Sequence, residues 1–188
     1  TFMCVLAICC ILVMIIISAG RNVNSAGDGY APIFEEVRIM SKKIVVITGS
    51  PRKNGNSFAM TEAFIKVAEA KGHEVTRFDA AMMKIGGCHA CETCFKTGKA
   101  CSFDDDFNTI APAVLEADAL VFTMPVYWYS IPAQIKGVID RLYSLVVGGK
   151  DISGKECALI ACCEEEDMTV LDGVRIPMER TAALNKWK

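Results

Sequence analysis

Residues 49–57, Gly-Ser-Pro-Arg-Lys-Asn-Gly-Asn-Ser, bring together small residues, hydroxyls and a cation in one short stretch. An apolar, β-branched run at residues 42–48 precedes it and reads as a buried parallel strand. Residues 58–71 follow, with Phe58, Ile65 and Ala68 near one helical face. A strand, such a loop and then a helix make an anion site, because free backbone N–H groups and the positive helix end converge there. Ser50 and Ser57 add hydroxyl donors, and Arg52 adds a guanidinium that can fork onto phosphate oxygens. The plainer alternative is a turn into a helix capped by Ser57. The stretch is not a triphosphate loop, since Asn56 stands where that motif needs lysine, and no Gly-x-Gly-x-x-Gly fingerprint occurs. One terminal phosphate suits it best.

A second concentration of chemistry is Cys88-x2-Cys91-x2-Cys94-x6-Cys101, four of the ten cysteines. Compact thiolate spacing of this kind can wrap an iron–sulfur cluster. Free or redox-active thiols are an equal alternative, and a zinc site is a weaker one, since paired Cys-x-x-Cys arms serve a tetrahedral ion better. Cys157, Cys162 and Cys163 lie in or just after an apolar run and read as core. His73 and His89 have no evident partner.

A third stretch is Pro125-Val126-Tyr127-Trp128-Tyr129-Ser130, directly after the apolar run 119–124. Three adjacent rings cannot all face a core, so at least one lines a cleft or meets solvent. A flat aromatic ligand would use such a wall.

The elements that must position these loops alternate in type. Strands are expected at 42–48, 73–78, 119–124 and 157–161, with helices at 58–71, 104–116, 131–147 and from Pro177 onward. Acidic residues 104–106 favour a helix start, and Pro132 is tolerated in a first turn. Alternation of this kind predicts an α/β domain with a doubly wound parallel sheet of flavodoxin-like order 2-1-3-4, the fifth strand absent. That order sets ligands at the carboxyl ends of the first and third strands, where residues 49–57 and 125–130 fall.

With these positions in view, residues 49–57 resemble the FMN-phosphate loop of the NAD(P)H-dependent FMN reductase family. Residues 125–128, continuing through Gln134, Lys136, Asp140 and Arg141, resemble its flavin-ring loop and following helix. The resemblance spans residues 42–188. It implies a flavodoxin-like fold with non-covalent FMN. Ser50, Arg52, Asn56 and Ser57, with Pro51 in the same loop, would hold the phosphate. Pro125, Val126, Tyr127 and Trp128, with Ser130 closing the loop, would border the ring. It further implies NAD(P)H as co-substrate, electron delivery to a flavin, quinone or other small acceptor, and homodimers or larger homo-oligomers. The cofactor carries the chemistry, so no acid–base pair is required. The cysteine loop resembles that of iron–sulfur flavoproteins, in which a [4Fe–4S] cluster feeds electrons to FMN. Cys88, Cys91, Cys94 and Cys101 would then be ligands and a ferredoxin-like protein the donor. The acidic residues 164–167 fall at the same sheet edge and read as solvated.

Length allows one domain with a real core, and a net charge of −2 argues against nucleic acid as partner. Residues 2–17 form an uncharged apolar run, short for a membrane span and near a signal-peptide core in length. Residues 1–39 are expected to stand outside the fold, as mistranslated upstream sequence or as a signal or anchor. Glu35-Glu36-Val37 before Met40 has the coding composition of a ribosome-binding site. The flavodoxin-like unit is then residues 40–188, truncated at its C-terminus, and cytoplasmic. A genuine anchor would favour another function, a membrane-tethered, non-catalytic flavin-binding module.

Overall fold

The computed structural model describes residues 2–8, 11–17 and 40–188. Its elements in chain order are β1 (Phe2–Ile8), β2 (Ile11–Ile17), β3 (Lys43–Thr48), α1 (Asn56–Ala70), β4 (Glu74–Asp79), α2 (Phe107–Glu116), β5 (Ala119–Pro125), α3 (Ala133–Arg141), α4 (Tyr143–Val147), β6 (Glu156–Cys163) and α5 (Asp172–Leu184). Strands β3 to β6 are parallel and lie β6-β5-β3-β4, the expected 2-1-3-4 order.

Alternation along the strands splits the core in two. Val45, Ile47, Leu120, Phe122, Leu159 and Ala161 meet α2, α3 and α5 through Ile110, Val114, Ile135, Val138, Val174 and Met178. Ile44, Val46, Val121 and Ile160 meet α1 through Ala68, Phe64 and Ile65. Covering both faces is why these strands read as continuous apolar runs. Ile47 and Phe122 are fully buried, and burial of each stabilises the fold by about 1.5–3 kcal/mol.

The sheet extends beyond the expected strands. β1 and β2 pair antiparallel, and β2 pairs antiparallel with β6 from Leu12↔Cys163 to Ile17↔Ala158. The sequence reading kept residues 1–39 outside the fold; here two of their segments line the edge of β6, whose N–H and C=O groups otherwise lack a neighbour. At the other end of β6, the Lys188 N–H donates to Lys155 O (2.8 Å) and the Cys157 N–H donates to Lys188 O (2.8 Å). That is a single parallel rung on β6.

Three helices differ from expectation, α2 beginning at Phe107 with no acidic residue in its first turn. The segment 131–147 divides into α3 and α4, with a break at Leu142. The last helix begins at Asp172 rather than Pro177, because Val174 and Met178 bury against the sheet and hold the earlier turn. Pro177 sits inside it at the cost of one backbone hydrogen bond. No helix among the described residues is long and apolar enough to cross a membrane.

Candidate functional site

A cavity of about 540 Å³ opens at the carboxyl ends of β3, β5 and β6, lined by Ser50, Arg52, residues 54–57, residues 125–127, Cys162, Cys163 and Glu164. Such a volume is typical of a site that holds a small organic ligand. The two loops singled out in the sequence meet there because β3 and β5 are neighbours in register, Thr48 beside Thr123.

On the loop side, the Gly49 N–H donates to Thr123 O (2.8 Å), fixing the exit of β3. A Cβ at Gly49 would lie 3.0 Å from Ile135 Cγ2, so any larger residue there would press on α3. Gly55 caps α1 with extended backbone and no side-chain cap. The first N–H groups of α1 therefore point into the cavity without an intrahelical acceptor. Ser57 is not the capping residue the plainer alternative required. It is buried in the first turn, and its Oγ lies 2.9 Å from Cys162 Sγ. The Thr61 hydroxyl donates to Ser57 O (2.7 Å) and stands 2.7 Å from the Thr123 hydroxyl. This buried polar column fixes the helix start against β5 and β6. Thr48 Oγ1, also buried, has no partner among the described residues. Arg52 and Asn56 are exposed at the mouth; Pro51 is exposed and lies outside the lining.

On the wall side, the Val126 N–H donates to Cys162 O (2.8 Å). Tyr127 and Ser130 then exchange backbone hydrogen bonds (3.1 and 2.9 Å) around Trp128 and Tyr129. Both central residues have positive φ, 46° and 59°, as a type I′ turn demands, yet neither is Gly, Asn or Asp. Strain of this kind is retained where surrounding structure over-determines it. The support comes from α5: a Cβ on Gly173 would fall 1.6 Å from Tyr129 O. Pro125, Val126 and Tyr127 face the cavity, whereas Trp128, 94% exposed, and Tyr129 border a separate cleft of about 420 Å³ with Glu165. Ser130 holds the turn and does not line the cavity.

Cys162 is the site residue that the sequence reading placed in the core. β6 runs to Cys163, two residues further than expected, which brings Cys162 to the α1 side of the sheet end. The available signal was its place just past a strand whose neighbours carry both loops. Burial pushes the Cys162 thiol above its ordinary range, only partly offset by Ser57, so it is protonated at neutral pH.

The cysteine loop lies apart from this cavity. Cys88 and Cys91 are exposed, Cys94 half-buried and Cys101 buried. Ala90, Glu92 and Phe95 all have positive φ (52°, 52° and 61°), so the backbone twists beside Cys91 and Cys94 in a way ordinary residues avoid. Burial raises the Cys94 thiol, and the charges of Cys101, Cys91 and Cys88 raise it further. A hydrogen bond with Thr93 holds Cys91 below its usual range. The four thiols thus share one electrostatic neighbourhood. Among the described residues, no three His, Cys, Asp or Glu side chains are grouped to hold a metal ion. Four thiols on one short loop are the ligand type of an iron–sulfur cluster, but their side chains are not gathered around one centre here.

The family model for NADPH-dependent FMN reductase matches residues 42–171. The chain belongs to that family. It is 40% identical over 100 residues to an iron–sulfur flavoprotein of Archaeoglobus fulgidus, covering 53% of this chain and 45% of that one. A second iron–sulfur flavoprotein of the same organism is 35% identical over 132 residues, covering 62% of this chain and 67% of the relative. The chain thus spans about half to two thirds of the length of these relatives. Among solved structures, an azoreductase from Bacillus anthracis superposes with a TM-score of 0.57 at 22% identity, covering 78% of this chain and 83% of the other. That likeness shows a shared fold. The flavodoxin-like sheet and the family match therefore coincide in one chain.

Proposed function

We propose that the protein is an FMN-dependent NAD(P)H oxidoreductase, with residues 40–188 as its flavin-binding unit. It passes electrons from the nicotinamide to a flavin, quinone or other small acceptor. The observation that carries this reading is the single cavity joining the N-terminus of α1 to the wall formed by Pro125, Val126 and Tyr127. The residues suit FMN in two halves. Unpaired helix-start N–H groups, the Ser50 and Ser57 hydroxyls and the Arg52 guanidinium make a phosphate end. Pro125, Val126 and the Tyr127 ring make an apolar end for a planar ring system.

FMN, when bound, supplies the hydride and electron chemistry. The chain's own residues bind and orient. Ser50, Arg52, Asn56 and Ser57 fix the phosphate; residues 125–127 limit water on one side of the ring. Glu164 at the rim adds negative charge, which disfavours a second anion in the same mouth. The exposed Trp128 and Tyr129 rings are suited to burial against a second copy, in keeping with a homo-oligomer.

The test is direct. Protein incubated with FMN, desalted and heat-released should yield one flavin per chain, and the loaded protein should oxidise NADPH or NADH when given a quinone. Protein that retains no FMN overturns the reading.

A second reading is favoured by the twisted backbone of residues 88–95. The four thiolates of Cys88, Cys91, Cys94 and Cys101 would hold a [4Fe–4S] cluster, with a ferredoxin-like protein in place of the nicotinamide as donor. Iron and sulfide, each near four per chain after anaerobic reconstitution, support it; their absence removes it.

A further inference from the structure

Beside the flavin cavity opens the cleft of about 420 Å³ that the FMN reading leaves without an occupant. Val126 and Tyr127 line both spaces, so the two share a wall. The remaining sides are the rings of Trp128, 94% exposed, and Tyr129, 59% exposed, together with Glu165. The turn that carries these rings is fixed by backbone, through the Tyr127–Ser130 hydrogen bonds and the close seat of Tyr129 O over Gly173. Exposed aromatic faces held this way suit a flat partner, which stacks on them and sheds water from both surfaces.

Charge narrows the class of ligand. Glu164 lines the flavin cavity and Glu165 the cleft, so each space has a carboxylate of its own. The Cys163 thiol donates to Glu165 O (3.5 Å), which ties this loop to the end of β6. Glu166 is exposed beside them, and none of the three carboxylates is ion-paired among the described residues. Arg175, on the helix that supports Tyr129, is taken up by Asp172 (2.7 Å) and Glu179 (3.0 Å). Arg52 lines the neighbouring cavity and not the cleft. A ligand in the cleft therefore meets the negative charge of Glu165 and ring faces that are themselves negative. Both favour a cation and disfavour an anion.

We propose that the cleft of Trp128, Tyr129 and Glu165 is the acceptor subsite beside the flavin cavity, and that it selects planar acceptors without negative charge, cationic ones above neutral ones. The acceptor role rests on the FMN reading given above. Of the acceptor classes named there, uncharged quinones and unphosphorylated flavins fit the cleft. Free FMN, with its charged phosphate, does not. A stacked ligand uses one face of the Trp128 ring and leaves the other to a second copy.

The experiment has a binding arm and a turnover arm, both on the full chain. Of the two tryptophans, Trp187 is buried with its Nε1–H donating to Ile152 O (2.6 Å), so quenching of the exposed emission reports on Trp128. Flavin-free protein is titrated at low salt with N-methylacridinium, uncharged acridine and acridine-9-carboxylate, which share one ring system. The cation should bind tightest and the anion weakest, with about ten-fold between them. Glu165→Gln should shrink that interval to about two-fold, and Trp128→Ala, followed by calorimetry, should weaken all three. In the turnover arm, FMN-loaded protein oxidises NADPH with riboflavin or FMN as acceptor. Each turnover moves a hydride from NADPH and a proton from water onto the acceptor, and the common donor cancels in the ratio. kcat/KM should favour riboflavin by about ten-fold, less at high salt and less in Glu165→Gln. Equal binding of the three acridines, an order that Glu165→Gln leaves unchanged, or Trp128 emission that none of them quenches overturns the subsite, whether or not FMN is retained. If the acridine order holds but the protein retains no FMN, the FMN reading falls and the acceptor role with it.

Discussion

Ser57 Oγ lies 2.9 Å from Cys162 Sγ, tying the first turn of α1 to the end of β6 at the floor of the cavity. Because burial keeps the thiol protonated, its S–H can donate to Ser57 Oγ and leave the Ser57 O–H free for an anion. Ser57→Ala should then weaken FMN binding by about ten-fold or more, the worth of a hydrogen bond to a charged group at about 1.5–3 kcal/mol. Riboflavin, which lacks the phosphate, should bind equally well to both proteins. Quenching of flavin fluorescence measures both affinities.

Arg52 is exposed at the cavity mouth. Arg52→Ala should lower FMN affinity by several-fold, flatten its dependence on ionic strength and leave the melting temperature unchanged. Unchanged affinity would place the phosphate elsewhere.

Trp128 holds φ at 46° with its side chain in solvent. A left-handed conformation costs a non-glycine residue about 1–2 kcal/mol, of which glycine's greater chain entropy recovers only part. Trp128→Gly should therefore stabilise the apoprotein by about 1 kcal/mol in urea unfolding. If the ring serves flavin or partner binding, the same variant should oxidise NAD(P)H more slowly or dissociate more readily.

Gly173 sits under the same turn. Gly173→Ala would place a methyl group 1.6 Å from Tyr129 O, so the turn or α5 must move. The expected loss is about 1–3 kcal/mol of stability, with weakened FMN binding, since the turn carries Tyr127. Unfolding curves with and without FMN separate the two effects.

Acid stability should report on Asp105. Burial alone would raise its carboxyl, but hydrogen bonds from Arg141, Gly86 and Phe107 outweigh that and hold it below the ordinary carboxylate value. A depressed folded-state value stabilises the protein above about pH 4 and is lost as pH falls below it. Asp105→Asn should lower stability at pH 7 and flatten its fall in acid, seen by urea unfolding between neutral pH and about pH 3.

Much of the architecture was legible because the strand runs 42–48 and 119–124 are continuous and apolar, which only burial on both faces explains. Both cavity loops were legible for a related reason, being composed of residue types that neither a core nor a helix would choose. Cys162 was not, since nothing in its type separates a thiol at a cavity floor from one in a core; only the two extra residues of β6 decide. The roles within residues 127–129 were equally hidden. Three rings in a row say that one must leave the core, while the positive φ of Trp128 and Tyr129 decides which. The Asp105–Arg141 pair, 36 residues apart in sequence, is a tertiary contact that no local pattern contains.

Helix α3 starts three residues after Ser130 and ends on Arg141. At about 1.5 Å per residue it is a rod a little over 10 Å long, with the ring wall at one end and the base of the cysteine loop at the other. Electron transfer slows steeply as two centres separate, and an α-helix is stiff along its axis. Under the proposed reading with a flavin at the wall and a cluster on the loop, a spacer of this kind would hold the interval between the two centres constant through thermal motion, so that the rate of exchange between them would be written into the backbone and not left to a chance approach.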